Sequence, residues 1–120
     1  MNKTILGIGS AVGVVAAVAL LNSSAKASQG VVRTFEIRGD NFAFSPARIE
    51  VQKDDVVKIS FTAVDIPHSF TMDGAYRIAK RASAGQTVTF EFRASGSERF
   101  YCNLNQDQRC KDMHGELVVK

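Results

Sequence analysis

Sulfur and imidazole side chains gather at two points of this chain of 120 residues. His68 opens an apolar stretch, and one loop near the C-terminus carries Cys102, Cys110, Met113 and His114. Thiolate and thioether sulfur favour Cu(I), whereas imidazole serves both oxidation states of copper. A site that combines these ligands can exchange one electron with little rearrangement. These five residues are therefore the predicted metal ligands.

The two cysteines also allow a metal-free interpretation. In an oxidising compartment, Cys102 and Cys110 are close enough in sequence to close their loop as a disulfide. The two states do not exclude each other, because a copper–thiolate site is open to oxidation once its metal is lost. The sequence leaves open a copper site, a disulfide, or both in turn.

Catalytic chemistry has little support in the sequence. No nucleophile with a base and an orienting group is visible, and no pair of carboxylates stands out near the sulfur-rich loop. Asp65, which precedes His68 by three positions, is either a turn residue or an acceptor that orients the imidazole. We therefore expect a protein that is not an enzyme.

Apolar and polar residues alternate with a period of two along the second part of the chain. This pattern covers residues 34–38, 48–52, 57–61, 87–92 and 117–119. Such segments are typical of half-buried antiparallel strands. Beyond the N-terminal segment, no stretch has convincing helical periodicity, and residues 75–84 allow at most a short turn. Short strands separated by turn residues predict an all-β sandwich.

The first 27 residues have the pattern of a secretory signal peptide. Lys3 precedes an apolar run over residues 5–21, and Ala25-Lys26-Ala27 is a small-residue cleavage site. The alternative is an uncleaved anchor, although the run is short for a bilayer span. We expect a periplasmic or secreted protein with one domain over residues 28–120.

Composition and charge exclude some partners. The chain is 45% hydrophobic and 22% charged, which is ordinary for a globular protein. Removal of the first 27 residues, with Lys3 and Lys26, leaves 13 basic residues against 12 acidic ones. This near balance gives no argument for nucleic-acid binding.

Four motifs resemble those of the cupredoxin family, over most of residues 31–119. They are Asn41-Phe42-x-Phe44-x-Pro46, Pro67-His68-Ser69-Phe70, Phe100-Tyr101-Cys102 and Met113-x-Gly115-x-Leu117-x-Val119. The resemblance implies a Greek-key β-sandwich. It also implies that His68 is the first histidine ligand of a copper site and that Cys102 is the thiolate.

The second histidine of the family departs from its usual place. It normally lies three residues before the methionine, where this chain has Cys110. In one alignment, Cys110 replaces that histidine, Met113 is the axial ligand and His114 points away. In the other, Cys110-x-x-x-His114 matches half of the binuclear copper motif of cytochrome oxidase subunit II, but Leu117 stands in the methionine position. The chain thus takes one copper ion, or two.

The resemblance implies one-electron transfer between periplasmic partners as the leading function. The second possibility is a copper carrier that passes Cu(I) to an acceptor protein without redox turnover. The third is a metal-free sandwich, closed by the disulfide, that acts as an interaction module. We expect a monomer, with membrane contact only if the N-terminal segment stays attached.

Overall fold

The computed structural model describes residues 30–120, so the predicted signal peptide lies outside the described residues. Among residues 30–120, no helix is long and apolar enough to span a membrane. The elements of this part of the chain are β1 (Val32–Asp40), β2 (Ala43–Ser45), β3 (Arg48–Val51), β4 (Val56–Ala63), β5 (His68–Met72), β6 (Ile78–Ala82), β7 (Thr87–Arg93), β8 (Glu98–Tyr101), α1 (Gln108–Asp112) and β9 (His114–Val119).

The strands form two sheets, which confirms the predicted β-sandwich. One sheet has the order β2-β1-β4-β7, and the other has the order β3-β9-β8-β5-β6. Alternation is typical of antiparallel strands, but two of the strand pairs are parallel. β1 runs parallel to β4, and β3 runs parallel to β9. Alternation fixes which side chains face the core, but it does not fix the direction of the neighbouring strand.

Aromatic side chains fill the space between the sheets. Phe61, Phe70 and Phe100 are fully buried. The rings of Phe70 and Phe100 stack with centroids 4.6 Å apart, and Phe44 meets Phe100 edge-on at 5.0 Å. Such pairs add to the free energy of burial by about 0.5–1.5 kcal/mol each. The core therefore gives a rigid base to the strands that carry the predicted ligands.

Three elements were not predicted, namely β2, β6 and α1. Residues 75–84 contain β6, an edge strand paired with β5, and exposure of Ala79, Lys80 and Arg81 hides its alternation. The segment between β8 and β9 contains α1, a helix of five residues that buries only Cys110. A single turn is too short for helical periodicity to appear in the sequence.

Candidate metal centre

Three of the predicted ligands meet at one end of the second sheet. His68 begins β5, Cys102 directly follows β8, and Cys110 lies in α1. All three side chains are buried, and their ligand atoms lie within 4.8 Å of one another. β5 and β8 are antiparallel neighbours, with Thr71 opposite Tyr101. The start of one strand is therefore beside the end of the other, which brings the imidazole to the cysteine.

The two nitrogens of the His68 ring differ in their hydrogen bonding. Its Nε2 lies 2.7 Å from Oδ1 of Asp65. Its Nδ1 is buried, and within residues 30–120 it has no hydrogen-bond partner. Beside an ionised carboxylate Nε2 is the donor, so in the neutral ring Nδ1 carries a free lone pair. A histidine whose other nitrogen is fixed by a carboxylate is typical of metal sites.

Asp65 serves as both turn residue and orienting acceptor. Its Oδ1 also accepts from the amide of Ile66 at 2.8 Å, and its Oδ2 accepts from the amide of Asn41 at 2.9 Å. Burial acts to raise the pKa of Asp65, but hydrogen bonds from Asn41, His68 and Ile66 outweigh it and hold this pKa well below its usual range. Asp65 is therefore a carboxylate at neutral pH and fixes the imidazole in one orientation.

Cys102 and Cys110 are joined as a disulfide, with Cα atoms 5.5 Å apart. A disulfide has no thiolate, and the thiolate is the form of cysteine that binds metals. Reduction would leave two buried thiols beside the His68 ring, whose Nδ1 has no hydrogen-bond partner among residues 30–120. That donor set is the soft sulfur and imidazole combination that copper prefers. The residues therefore fit copper in the reduced state of the pair and not in the oxidised state.

Met113 is buried directly after α1. Its amide donates to the carbonyl of Cys110 at 3.1 Å, and its carbonyl accepts from the amide of Cys102 at 3.3 Å. The backbone thus holds Met113 between the two cysteines, and its role as a thioether ligand stays a prediction.

The structure does not bring His114 to the cluster. His114 is exposed at the start of β9, opposite Tyr101, and its Nδ1 lies 2.9 Å from the carbonyl of Asp112. Its neighbours Met113 and Gly115 are both buried. Adjacent residues of an extended chain point to opposite faces, so an inward Met113 turns His114 outward. This arrangement matches the alignment in which His114 points away from the site.

Two side chains that the sequence did not indicate lie next to the cluster, one against His68 and one against its neighbour. The ring of Phe42 meets the His68 ring edge-on at 5.9 Å. The guanidinium of Arg109 lies 4.2 Å from the centroid of Phe42. Phe42 stands in a quoted motif, but nothing in the sequence indicates that a residue of α1 packs on it.

Comparisons with known proteins show which proteins share this fold. No curated protein sequence matches the chain at a significant level. Auracyanin A, a "blue" copper protein from Chloroflexus aurantiacus, is similar at 20% identity and a TM-score of 0.61, over 74% of this chain and 99% of its own. The periplasmic domain of cytochrome oxidase subunit II from Bradyrhizobium japonicum is similar at 15% identity and a TM-score of 0.63, over 72% and 83%.

A chain of a heme-copper terminal oxidase dimer is similar at 18% identity and a TM-score of 0.61, over 73% of this chain. The match spans 65% of the length of that oxidase chain. At these identities the likeness shows a shared fold. The family model of the cupredoxin-like domain matches residues 13–119. The chain therefore belongs to the cupredoxin-like family.

Proposed function

We propose that this chain is an exported, non-enzymatic copper protein that transfers single electrons between partner proteins. The observation that carries the proposal is a buried cluster in which ligand atoms of His68, Cys102 and Cys110 lie within 4.8 Å of one another, while Nδ1 of His68 has no hydrogen-bond partner among residues 30–120. His68, Cys102, Cys110 and Met113 would hold one copper ion. When bound, copper would supply a one-electron couple.

The surroundings of the ligands suit electron transfer better than catalysis. All four proposed ligands are buried. Asp65 fixes the His68 ring, and the aromatic core supports the strands on either side. A copper ion held by four buried protein ligands would be poorly accessible to a substrate, and these supports would limit its rearrangement. The likeness to a "blue" copper protein supports the same conclusion.

A second candidate, Cu(I) delivery, is favoured by the second cysteine. Cys110 stands where the family usually has a histidine, and two thiolates favour Cu(I) over Cu(II). Cys110 also lies on a one-turn helix with no other buried residue, which suits a site that must release its metal. The partner would then be a copper acceptor protein rather than a redox protein.

Copper loading of the purified, exported protein tests both candidates. The disulfide is reduced, the reductant is removed without air, and Cu(I) is titrated against a chromogenic chelator. The loaded protein is then oxidised, and optical and EPR spectra are recorded. Electron transfer predicts one copper, an intense thiolate-to-Cu(II) band and reversible cycling, and Cys102→Ser should abolish the band.

The other outcomes separate the remaining possibilities. Tight binding of Cu(I) without a stable coloured Cu(II) state would overturn electron transfer and support delivery. No bound copper in protein with both thiols free would overturn both candidates. It would leave the disulfide-closed sandwich as an interaction module.

A further inference from the structure

We propose that the Cys102–Cys110 disulfide is a reducible lock on the metal centre, opened by a dithiol reductant when α1 moves outward. Phe42 and Arg109 hold α1 closed; we call this contact the latch. The consequence of opening, copper entry, rests on the proposed function. The thiol chemistry does not, and it can be measured without metal.

Burial of the disulfide means that a reductant cannot reach it in the closed state. Cys102 is 1% exposed and Cys110 is 0% exposed. Thiol–disulfide exchange requires a thiolate to attack one of the two sulfurs directly. Reduction of the folded protein therefore needs a local opening that uncovers one sulfur.

Of the two cysteines, Cys110 lies on the element that can open at lower cost. Cys102 follows β8, a central strand of its sheet. The other residues of α1, Gln108, Arg109, Lys111 and Asp112, are all exposed. Segments with few buried contacts open at the lowest free energy. An outward movement of α1 therefore presents the Cys110 sulfur to the reductant, while Cys102 stays beside His68.

The latch fixes the exposed side of α1 to the rest of the domain. Asp107 caps the helix by accepting the amide of Arg109 at 2.9 Å, and it also binds the Arg109 guanidinium at 2.9 and 3.2 Å. This pairing directs the guanidinium onto the Phe42 ring. A cation–π contact at an exposed site changes an opening equilibrium by about two- to fivefold.

Phe42, the second residue of the latch, is connected to the predicted histidine ligand His68. Phe42 and the preceding Asn41 both have a left-handed backbone, with φ of 59° and 52°. Non-glycine residues adopt this conformation at a cost, so the surroundings must hold it. Asp65 does so by accepting the amide of Asn41 while its other oxygen binds His68. The Asp65 carboxylate therefore supports both the backbone next to Phe42 and the imidazole of His68.

Reduction proceeds by two successive thiol–disulfide exchanges. A thiolate of the reductant attacks Sγ of Cys110, the S–S bond breaks, and Cys102 leaves as a thiolate. The second thiol of the reductant then attacks the mixed disulfide and releases Cys110. Two electrons and two protons pass from the reductant to this chain, and the reductant becomes a disulfide. Oxidation by a disulfide of higher potential reverses the process and closes the site.

Reduction kinetics of the metal-free, full-length exported protein test the lock. Dithiothreitol is added, samples are alkylated at intervals, and modified cysteines are counted by intact mass. Phe42→Leu and Arg109→Gln should be reduced about two- to fivefold faster than the wild type. Arg48→Gln, which removes an exposed arginine paired with Glu50 on β3, should not change the rate. Equal rates for all four proteins would overturn the latch.

A trapping experiment identifies the attacked sulfur. Glutathione at limiting time should form its mixed disulfide on Cys110, as read by peptide mapping. A mixed disulfide on Cys102 would overturn the assignment of α1 as the moving element. Urea unfolding of each variant shows whether a faster reduction reflects α1 opening or loss of global stability. An increase explained wholly by global unfolding would also overturn the latch.

Copper-binding measurements distinguish failure of the lock from failure of the proposed copper function. We expect the reduced protein to bind Cu(I) and the oxidised protein to bind at least about 100-fold more weakly, since two thiolates are missing. Equal affinity of the two forms would overturn the lock and leave the copper function standing. Absence of binding to the reduced form would overturn the copper function, while the effect of the latch variants on reduction would still stand.

Discussion

Ser69 and Asn103 form a closed pair of hydrogen bonds next to the metal centre. The Ser69 hydroxyl donates to Oδ1 of Asn103 at 2.7 Å and accepts from the Asn103 amide at 2.8 Å. Ser69 directly follows His68, and Asn103 directly follows Cys102. The pair therefore links the strand that carries the imidazole to the loop that carries the cysteines, independently of disulfide or metal.

Ser69→Ala should destabilise the protein in both redox states of the cysteines. The substitution leaves the amide and side-chain oxygen of Asn103 without their partner, and Ser69 is buried. Asn103 is exposed, so water can replace part of this loss, and each lost hydrogen bond should cost about 0.5–1.5 kcal/mol. Urea unfolding of the oxidised and reduced proteins measures this loss. The control is Ser60→Ala, which removes a part-exposed hydroxyl of β4. A loss equal to that of the control would contradict the role of the pair.

His114→Gln should leave copper binding nearly unchanged, whereas Cys110→Ser should weaken it. His114 is exposed and outside the buried cluster, so its loss should change the Cu(I) dissociation constant by no more than about twofold, and the stoichiometry should stay at one. Loss of a direct ligand should cost at least as much as loss of its outer partner, about tenfold or more. Chelator competition on both variants measures the effect. Loss of a second copper ion from His114→Gln would instead support the binuclear alignment.

Much of the sandwich follows from period-two alternation, because half-buried strands must present one apolar face. The parallel pairing and β6 could not be predicted in this way. Alternation does not depend on the direction of the neighbouring strand, and the exposed edge strand β6 does not alternate. His68, Cys102 and Cys110 were selected by residue type and resemblance, and the fold brings them together. Their role as ligands stays a prediction, as do those of Met113 and His114.

Contacts between side chains that lie far apart in the sequence could not be predicted from it. Ser69 bonds to Asn103 across 34 positions of the chain. Phe42 meets Arg109 only because α1 forms and Asp107 orients the guanidinium. Neither pair produces a periodic signal or a motif. They depend on register and on one loop conformation, which only the folded chain defines.

Gly39→Ala should disturb the metal centre from the neighbouring sheet. A Cβ at Gly39 would lie 3.2 Å from Cβ and Cδ2 of His68 and from Cζ of Phe61. Both side chains are fully buried, so the added methyl group pushes on the His68 ring as well as on Phe61. Overpacking of this kind costs about 1–3 kcal/mol, and a displaced ring should also weaken Cu(I) binding.

Thermal unfolding and chelator competition measure the two effects of Gly39→Ala separately. Gly96→Ala is the matched control, because a Cβ there meets nothing within 4 Å. Unchanged copper affinity in Gly39→Ala, with the control also unchanged, would show that the imidazole is not held against β1 or is not a ligand.

Asp55 should make the protein sensitive to acid. Its carboxylate is buried and accepts the amides of Gln52 at 2.9 Å and Val31 at 3.0 Å, with Nε of Arg33 at 3.3 Å. The two backbone hydrogen bonds, helped by Arg33, outweigh burial and lower the pKa of Asp55. A lowered pKa means that the carboxylate stabilises the fold above the ordinary aspartate pKa of about 3.9. That stability is lost as the pH falls through the folded-state pKa.

We therefore expect Asp55→Asn to be less stable than the wild type at neutral pH, and the difference to shrink as the pH falls below about 4. Thermal unfolding midpoints between about pH 2.5 and about pH 7 measure this convergence. Asp40→Asn makes the same charge change at an exposed position of β1 and should track the wild type. If the gap between Asp55→Asn and the wild type is the same at every pH, the ionised carboxylate is not the stabilising group. The loss would then come from the changed hydrogen-bonding and packing of the side chain and not from its charge.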